Sequence, residues 1–229
     1  MQLPGHGKYT STSMSESRRR IAEGRAFRRR DALVVIGGAG VALAAPAFAH
    51  HGAGGEGDAE MAMGAADAPV TIIEYSSLTC PHCAAFHGET LPLIKANYID
   101  AGKVRLVFRD FPFDRQALLA AALARCAGAA RFFGFVDVLF RTQKSWARAA
   151  NPEEALGRIA RLGGLKEDEI TACLADQTLL DSIMQSRLQG SQEFEIKSTP
   201  TFIINGERVV GAQPYERFEE IIERLLSQS

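Results

Sequence analysis

An α/β sandwich with an all-helical block inserted into it is the fold class predicted by this 229-residue sequence. Three observations predict it. β-Branched and aromatic runs, the mark of short buried strands, occur at Val70–Tyr75 and Val104–Arg109 and return at Thr201–Ile204 and Arg208–Val210. Between them, from Gln116 to about Gln192, the apolar spacing is almost wholly helical. Phe218, Ile221, Ile222, Leu225 and Leu226 then form one amphipathic face near the C-terminus.

Each element has a local cause. The first run continues through Ser76–Thr79 into Cys80-Pro81-His82-Cys83, and residues 84–98 follow with helical spacing at Phe86, Leu91 and Ile94. Pro92 lacks an N–H and its ring crowds the preceding turn, so this helix is expected to kink there. Asp110–Phe113 is a proline-containing turn after the second run. Phe132, Phe135, Val136, Leu139 and Phe140 share one helical face and read as core, whereas Trp146 fits either core or a domain junction. Asn151, Pro152, Glu153 and Glu154 supply an N-cap, a proline at the first helical position and acids in the first turn. Asn205-Gly206 joins the last two runs with residues suited to the positive φ angles of a type I′ hairpin.

The charge is divided by position. Residues 1–49 carry 8 Lys/Arg and 3 Asp/Glu, and the remainder carries 18 against 24. An acidic body has no basic patch to neutralise phosphates, which argues against nucleic-acid binding. In the basic leader, Arg28-Arg29-Arg30 precedes an apolar run from Ala32 to Ala45 and then Ala47-Phe48-Ala49. That three-part pattern reads as a cleaved export signal over residues 1–49, leaving His50 as the mature N-terminus. Arg29-Arg30 resembles a twin-arginine signal. An uncleaved anchor and an RNA-binding arm are the alternatives. The Gly/Ala/Glu-rich residues 50–67 are expected to be a flexible tether. An exported chain keeps its cysteines in an oxidising compartment.

The chemistry centres on Cys80 and Cys83. Cysteines three apart on a helix share a face. Cys80 would stand at the helix N-terminus, where free N–H groups and the dipole favour a thiolate. Pro81 pre-sets the first helical φ, and His82 adds a donor. Cys83, one turn inside, would be the buried resolving thiol. The competing reading is a zinc site, but that needs two more ligands. His87 is available, while Cys126 and Cys173 are isolated and no second paired motif exists. Redox chemistry is the better fit.

Glu74 through Cys83 (EYSSLTCPHC), together with Ser198-Thr199-Pro200-Thr201-Phe202, resembles the DsbA family of thioredoxin-fold thiol:disulfide oxidoreductases, closest to its alphaproteobacterial branch. The similarity runs from about Ala68 to Leu226. It implies a thioredoxin fold with an inserted all-helical domain: residues 68–115 and 193–229 would form the thioredoxin domain and 116–192 the insert. It implies Cys80 as nucleophile, Cys83 as resolver, and Pro200 as the family's cis-proline, whose loop faces the active site. Glu74 stands where the family has a buried acid near the disulfide, and an ordinary strand-edge Glu is the plain alternative. Thr199 stands where the best-known oxidase has Val; Thr is also found there in isomerase and reductase relatives. The resemblance further implies a structural Cys126–Cys173 disulfide in the helical domain, against two buried free thiols.

The implied activity is periplasmic: donation of the Cys80–Cys83 disulfide to reduced or unfolded exported proteins, with no metal or organic cofactor. A membrane reoxidase of the DsbB or VKOR type would restore the disulfide, and the protein would act as a monomer. The alternatives are a disulfide isomerase or reductase of the same fold, or a periplasmic copper-binding or chaperone module. His50, His51, Met61 and Met63 would be the candidate copper ligands of the last.

Overall fold

The computed structural model describes residues 60–229. The predicted export signal, its cleavage point and His50-His51 lie outside the described residues. In chain order the elements are β1 (Met61–Met63), β2 (Val70–Ser76), α1 (Pro81–Ala85), α2 (Leu91–Ile94), β3 (Val104–Asp110), α3 (Arg115–Cys126), α4 (Ala129–Arg141), α5 (Gln143–Trp146), α6 (Pro152–Leu162), α7 (Glu167–Ala175), α8 (Gln177–Glu193), β4 (Thr201–Ile204), β5 (Glu207–Val210) and α9 (Tyr215–Leu226).

Five strands form one sheet in the order β1-β3-β2-β4-β5, parallel between β2 and β3 and antiparallel elsewhere. Side chains alternate across a strand, so Val70, Ile72, Glu74 and Ser76 share one face with Val104, Leu106, Phe108 and Asp110, their register partners on β3. The helices following β2 and the last helix cover that face. Phe86, Leu91, Ile94 and Tyr98 from the first, and Phe218, Ile221 and Ile222 from α9, pack with Val70, Ile72, Leu106 and Phe202. On the opposite face, Tyr75, Phe111, Ile196 and Ile203 form a smaller core. Gly190 of α8 lies against it so closely that a Cβ there would stand 2.5 Å from the Tyr75 ring.

The expected kink takes a specific form. Two π-helical turns, Phe86–Thr90 and Lys95–Ile99, flank α2 and keep the run from α1 continuous. A wider turn absorbs a proline that removes one helical donor and crowds the carbonyl four residues back. The other local expectations appear as read. Asn151 Oδ1 accepts the Glu154 N–H at 3.2 Å and Pro152 opens α6. Asn205 and Gly206 take φ values of 44° and 91° between β4 and β5.

One expectation is corrected. The stretch read as a tether contains β1, which pairs Met61, Ala62 and Met63 with Phe108, Val107 and Leu106. Met-Ala-Met has little strand propensity of its own. It becomes a strand because the outer edge of β3 offers unpaired backbone groups, and because Glu60 meets Arg105 and Arg109 at 2.6 and 2.8 Å. Met61 is buried and Met63 packs on the sheet core, so both of these proposed copper ligands are engaged in packing.

Among the described residues, six helices, α3 to α8, lie between β3 and β4. Their core holds Phe132, Phe135, Val136, Leu139, Phe140 and Trp146, and extends to Leu78 and Cys83 at the start of α1. Trp146 is core: it is buried and donates its Nε1–H to the Leu139 carbonyl at 2.8 Å. Cys126 at the end of α3 and Cys173 on α7 are joined as a disulfide, with Cα atoms 6.3 Å apart.

Candidate active site

The strand β2 delivers the chain into a tight turn closed by the Cys80 N–H on the Ser77 carbonyl at 3.0 Å. Cys80 is the extended N-cap of α1, and Pro81 occupies the first helical position, where its missing N–H costs nothing. The sulfur of Cys80 is partly exposed and that of Cys83 fully buried, both as free thiols. This is the placement expected from spacing alone.

Four groups converge on Cys80. Its thiol is lowered from the ordinary 9.0 to about 5, first by the hydrogen bond from the Cys83 thiol, then by the Thr199 hydroxyl and the backbone N–H groups of Cys83 and His82; burial works against them. The protonated thiol donates to the Thr199 carbonyl at 3.3 Å. The Thr199–Pro200 bond is cis, and this loop reaches the sulfur from 119 residues away in sequence. The Cys83 thiol moves the other way. Burial raises it well above the ordinary thiol range, and the charges of Cys80 and Glu74 add to that, opposed by the Ser76 hydroxyl. Thr199 Oγ1 and Ser76 Oγ are buried without an ideally placed partner. Each is close enough to a sulfur to favour its thiolate. The His82 ring is exposed, so its contribution to Cys80 comes through its backbone N–H.

Glu74 is fully buried on the helix-covered face of β2, not at a strand edge. Its two carboxyl oxygens lie 3.0 and 3.1 Å from Nε2 of His87, a pairing that sequence reading missed. The signals for it were Glu74 in step with Val70 and Ile72, and His87 four residues after Cys83.

Gln143 was also missed. From the buried start of α5 its Nε2 donates to the Leu78 carbonyl at 2.8 Å and to the Cys80 carbonyl at 3.0 Å, pinning the Cys80 turn to the helical block. Opposite, Thr79 Oγ1 donates to Asp114 Oδ2 at 2.7 Å, while Asp114 Oδ1 caps α3 through the Ala117 N–H. Replacing Gln143 by Leu leaves two carbonyls under-satisfied. The expected loss is about 1–3 kcal/mol of stability in urea unfolding.

The pair is suited to thiol–disulfide exchange: an accessible sulfur that is a thiolate at neutral pH, and a shielded one that keeps its proton. Among the described residues, no group of three or more His, Cys, Asp or Glu is arranged to hold a metal ion.

A family model described as Thioredoxin matches residues 56–224. The crystal structure of Wolbachia pipientis alpha-DsbA1 superposes with a TM-score of 0.69 at 32% identity, covering 74% of this chain and 92% of that one. A putative protein-disulfide oxidoreductase of Rickettsia bellii is 34% identical over 148 residues, 64% of this chain, and the chain spans only 57% of that relative's length. Disulfide bond formation protein D of Bacillus subtilis is 27% identical over 168 residues, 72% of this chain and 76% of that protein. The fold is therefore the thioredoxin fold with helices inserted between β3 and β4, and the chain belongs to the DsbA family.

Proposed function

We propose that the protein is a periplasmic dithiol oxidase that donates its Cys80–Cys83 disulfide to reduced or unfolded exported proteins during oxidative folding. The observation that carries this reading is the opposed behaviour of the two thiols. A stabilised Cys80 thiolate stabilises the reduced protein and so makes the disulfide a ready electron acceptor. In the donating direction a substrate thiolate attacks Cys80 Sγ, the Cys80–Cys83 bond breaks, and Cys83 leaves and is protonated. The second substrate thiolate then attacks the substrate sulfur of the mixed disulfide. The substrate departs oxidised, and Cys80 departs as a thiolate.

Beside the Cys80 turn, the loop that carries Asp114 exposes the ring of Phe113, an apolar contact for an unfolded chain. Pro200 and Thr199 present backbone to an extended substrate segment. The Thr199 hydroxyl favours the Cys80 thiolate, which supports the donating direction over an isomerase or reductase role. Reoxidation falls to a membrane partner of the DsbB or VKOR type. Export through the leader, monomeric action and a structural role for the Cys126–Cys173 bridge belong to the same proposal.

Equilibration of the mature protein in graded glutathione buffers, followed by alkylation and peptide mass spectrometry, tests it. Cys80 and Cys83 should stay reduced even in oxidising mixtures, while Cys126 and Cys173 resist reduction. A Cys80–Cys83 disulfide that persists until glutathione is strongly reducing would overturn the donor reading in favour of a reductase.

A further inference from the structure

We propose that Arg187 is a specificity residue: its guanidinium, stacked on Phe111 and Phe113, receives a carboxylate of a client polypeptide close to the client's reacting cysteine. This rests on the disulfide-donor reading above and deepens it, by naming the chemistry of the preferred client.

The placement follows from α8. Gly190 has no side chain, so α8 closes onto the Tyr75 ring, and Arg187 stands one helical turn earlier on the same face. From there its guanidinium carbon lies 5.7 Å from the centre of the Phe111 ring and 5.6 Å from that of Phe113. The two rings are themselves 5.4 Å apart. Phe111 is buried in one cluster with Ile196, on the loop that leads to Thr199. Phe113 is 48% exposed and precedes Asp114, which accepts the Thr79 hydroxyl at 2.7 Å. The rings under Arg187 therefore touch both loops that reach the Cys80 turn, the one that ends in Thr199 and the one that carries Asp114.

Among the described residues, no carboxylate pairs with Arg187. The acids around it have other partners. Asp110 pairs with Arg125, Asp114 holds Thr79 and the Ala117 N–H, Asp181 accepts from Gln177, and Glu193 acts on Tyr75. Stacking on two rings fixes the guanidinium without using its N–H groups, which stay ready for a bidentate carboxylate. Phe113, Met184 and Leu188 expose apolar surface on the same two elements, which suits a client with an acidic side chain beside an apolar one. Lys144 follows Gln143, and Lys197 stands two residues before Thr199; both are exposed and also lack an ion pair among the described residues. Their flexible stems attract an acidic client but do not position it.

The test measures single-turnover oxidation of two dithiol peptides by the oxidised protein in stopped flow. The peptides differ only in Glu or Gln beside a Leu next to the first cysteine. Each rate is divided by that peptide's rate with a neutral small-molecule disulfide, which removes the effect of Glu on the cysteine's own acidity. At low salt the Glu peptide should react about fivefold faster, the upper end for an exposed ion pair. The ratio should fall towards one in about 1 M salt, where screening acts within about 3 Å. Arg187→Gln should bring it to one at low salt. Equal rates in the wild type overturn the proposal, as does a ratio that survives Arg187→Gln and is lost in Lys144→Gln or Lys197→Gln. Failure of the wild type to oxidise either peptide would instead overturn the donor reading. Should Arg187→Gln fail to fold, Phe113→Leu at the exposed ring decides: the guanidinium loses one of its two supports, the ratio must fall, and an unchanged ratio rejects the proposal.

Discussion

Replacing Cys83 by Ser is expected to abolish catalytic oxidation of a dithiol peptide while leaving Cys80 reactive, so that mixed disulfides accumulate on Cys80. The two sulfurs differ in environment more than in chemistry. Cys80 caps a helix, is partly exposed and is held as a thiolate near neutral pH; Cys83 is enclosed and holds its proton. Without Cys83 no internal disulfide exists to donate, and a substrate or glutathione joined to Cys80 has no neighbouring thiol to expel it. Intramolecular attack has an effective molarity that dissolved thiols do not approach, on the order of 10⁵ M or more for well-oriented groups. Loss of turnover should therefore be near complete. Intact-mass measurement after mixing Cys83→Ser with oxidised glutathione should show one glutathione adduct, and Cys80→Ser should show none. Wild-type turnover in Cys83→Ser would remove the internal disulfide from the mechanism.

The second large effect is in pH. In the reduced protein, alkylation of Cys80 by iodoacetamide should be half-maximal near pH 5, because the folded thiol is lowered from 9.0 to about 5. A group lowered on folding contributes stability that is fully present above its unfolded value and lost as the pH falls through its folded one. For Cys80, that contribution is complete above about pH 9, declines through neutrality and is gone below about pH 5. Cys83 has the opposite sign: its raised thiol contributes stability below the unfolded thiol value and loses it on the alkaline side. Between pH 5 and 8 the Cys80 thiolate therefore dominates. The melting temperature of the reduced protein should rise against that of the oxidised protein across that range, then level off. An alkylation midpoint close to 9 would show that the helix N-terminus, the Cys83 thiol and Thr199 leave the sulfur unperturbed, and the disulfide would have no reason to be a strong donor.

The local features of this chain were determined by sequence alone, because each depends on a few neighbouring residues. Pro81 after Cys80 marks a helix start, Asn151-Pro152 caps α6, and Asn205-Gly206 turns a hairpin, all through backbone preferences acting within four residues. The strand, paired cysteines and helix in that order were enough to place one partly exposed sulfur at a helix start and one buried sulfur a turn inside. Only the tertiary structure decided what surrounds them. The edge strand β1 exists through the open side of β3, not through its own residues. Thr199 reaches Cys80 across 119 positions, and Gln143 reaches the same turn across 63, because packing of the sheet and the helical block brings them there. Glu74 and His87 carried periodic hints, one in the alternation of β2 and one a helical turn beyond Cys83. Periodicity assigns each a face, but the distance between those faces is set by how helix and sheet pack, which no window of sequence contains.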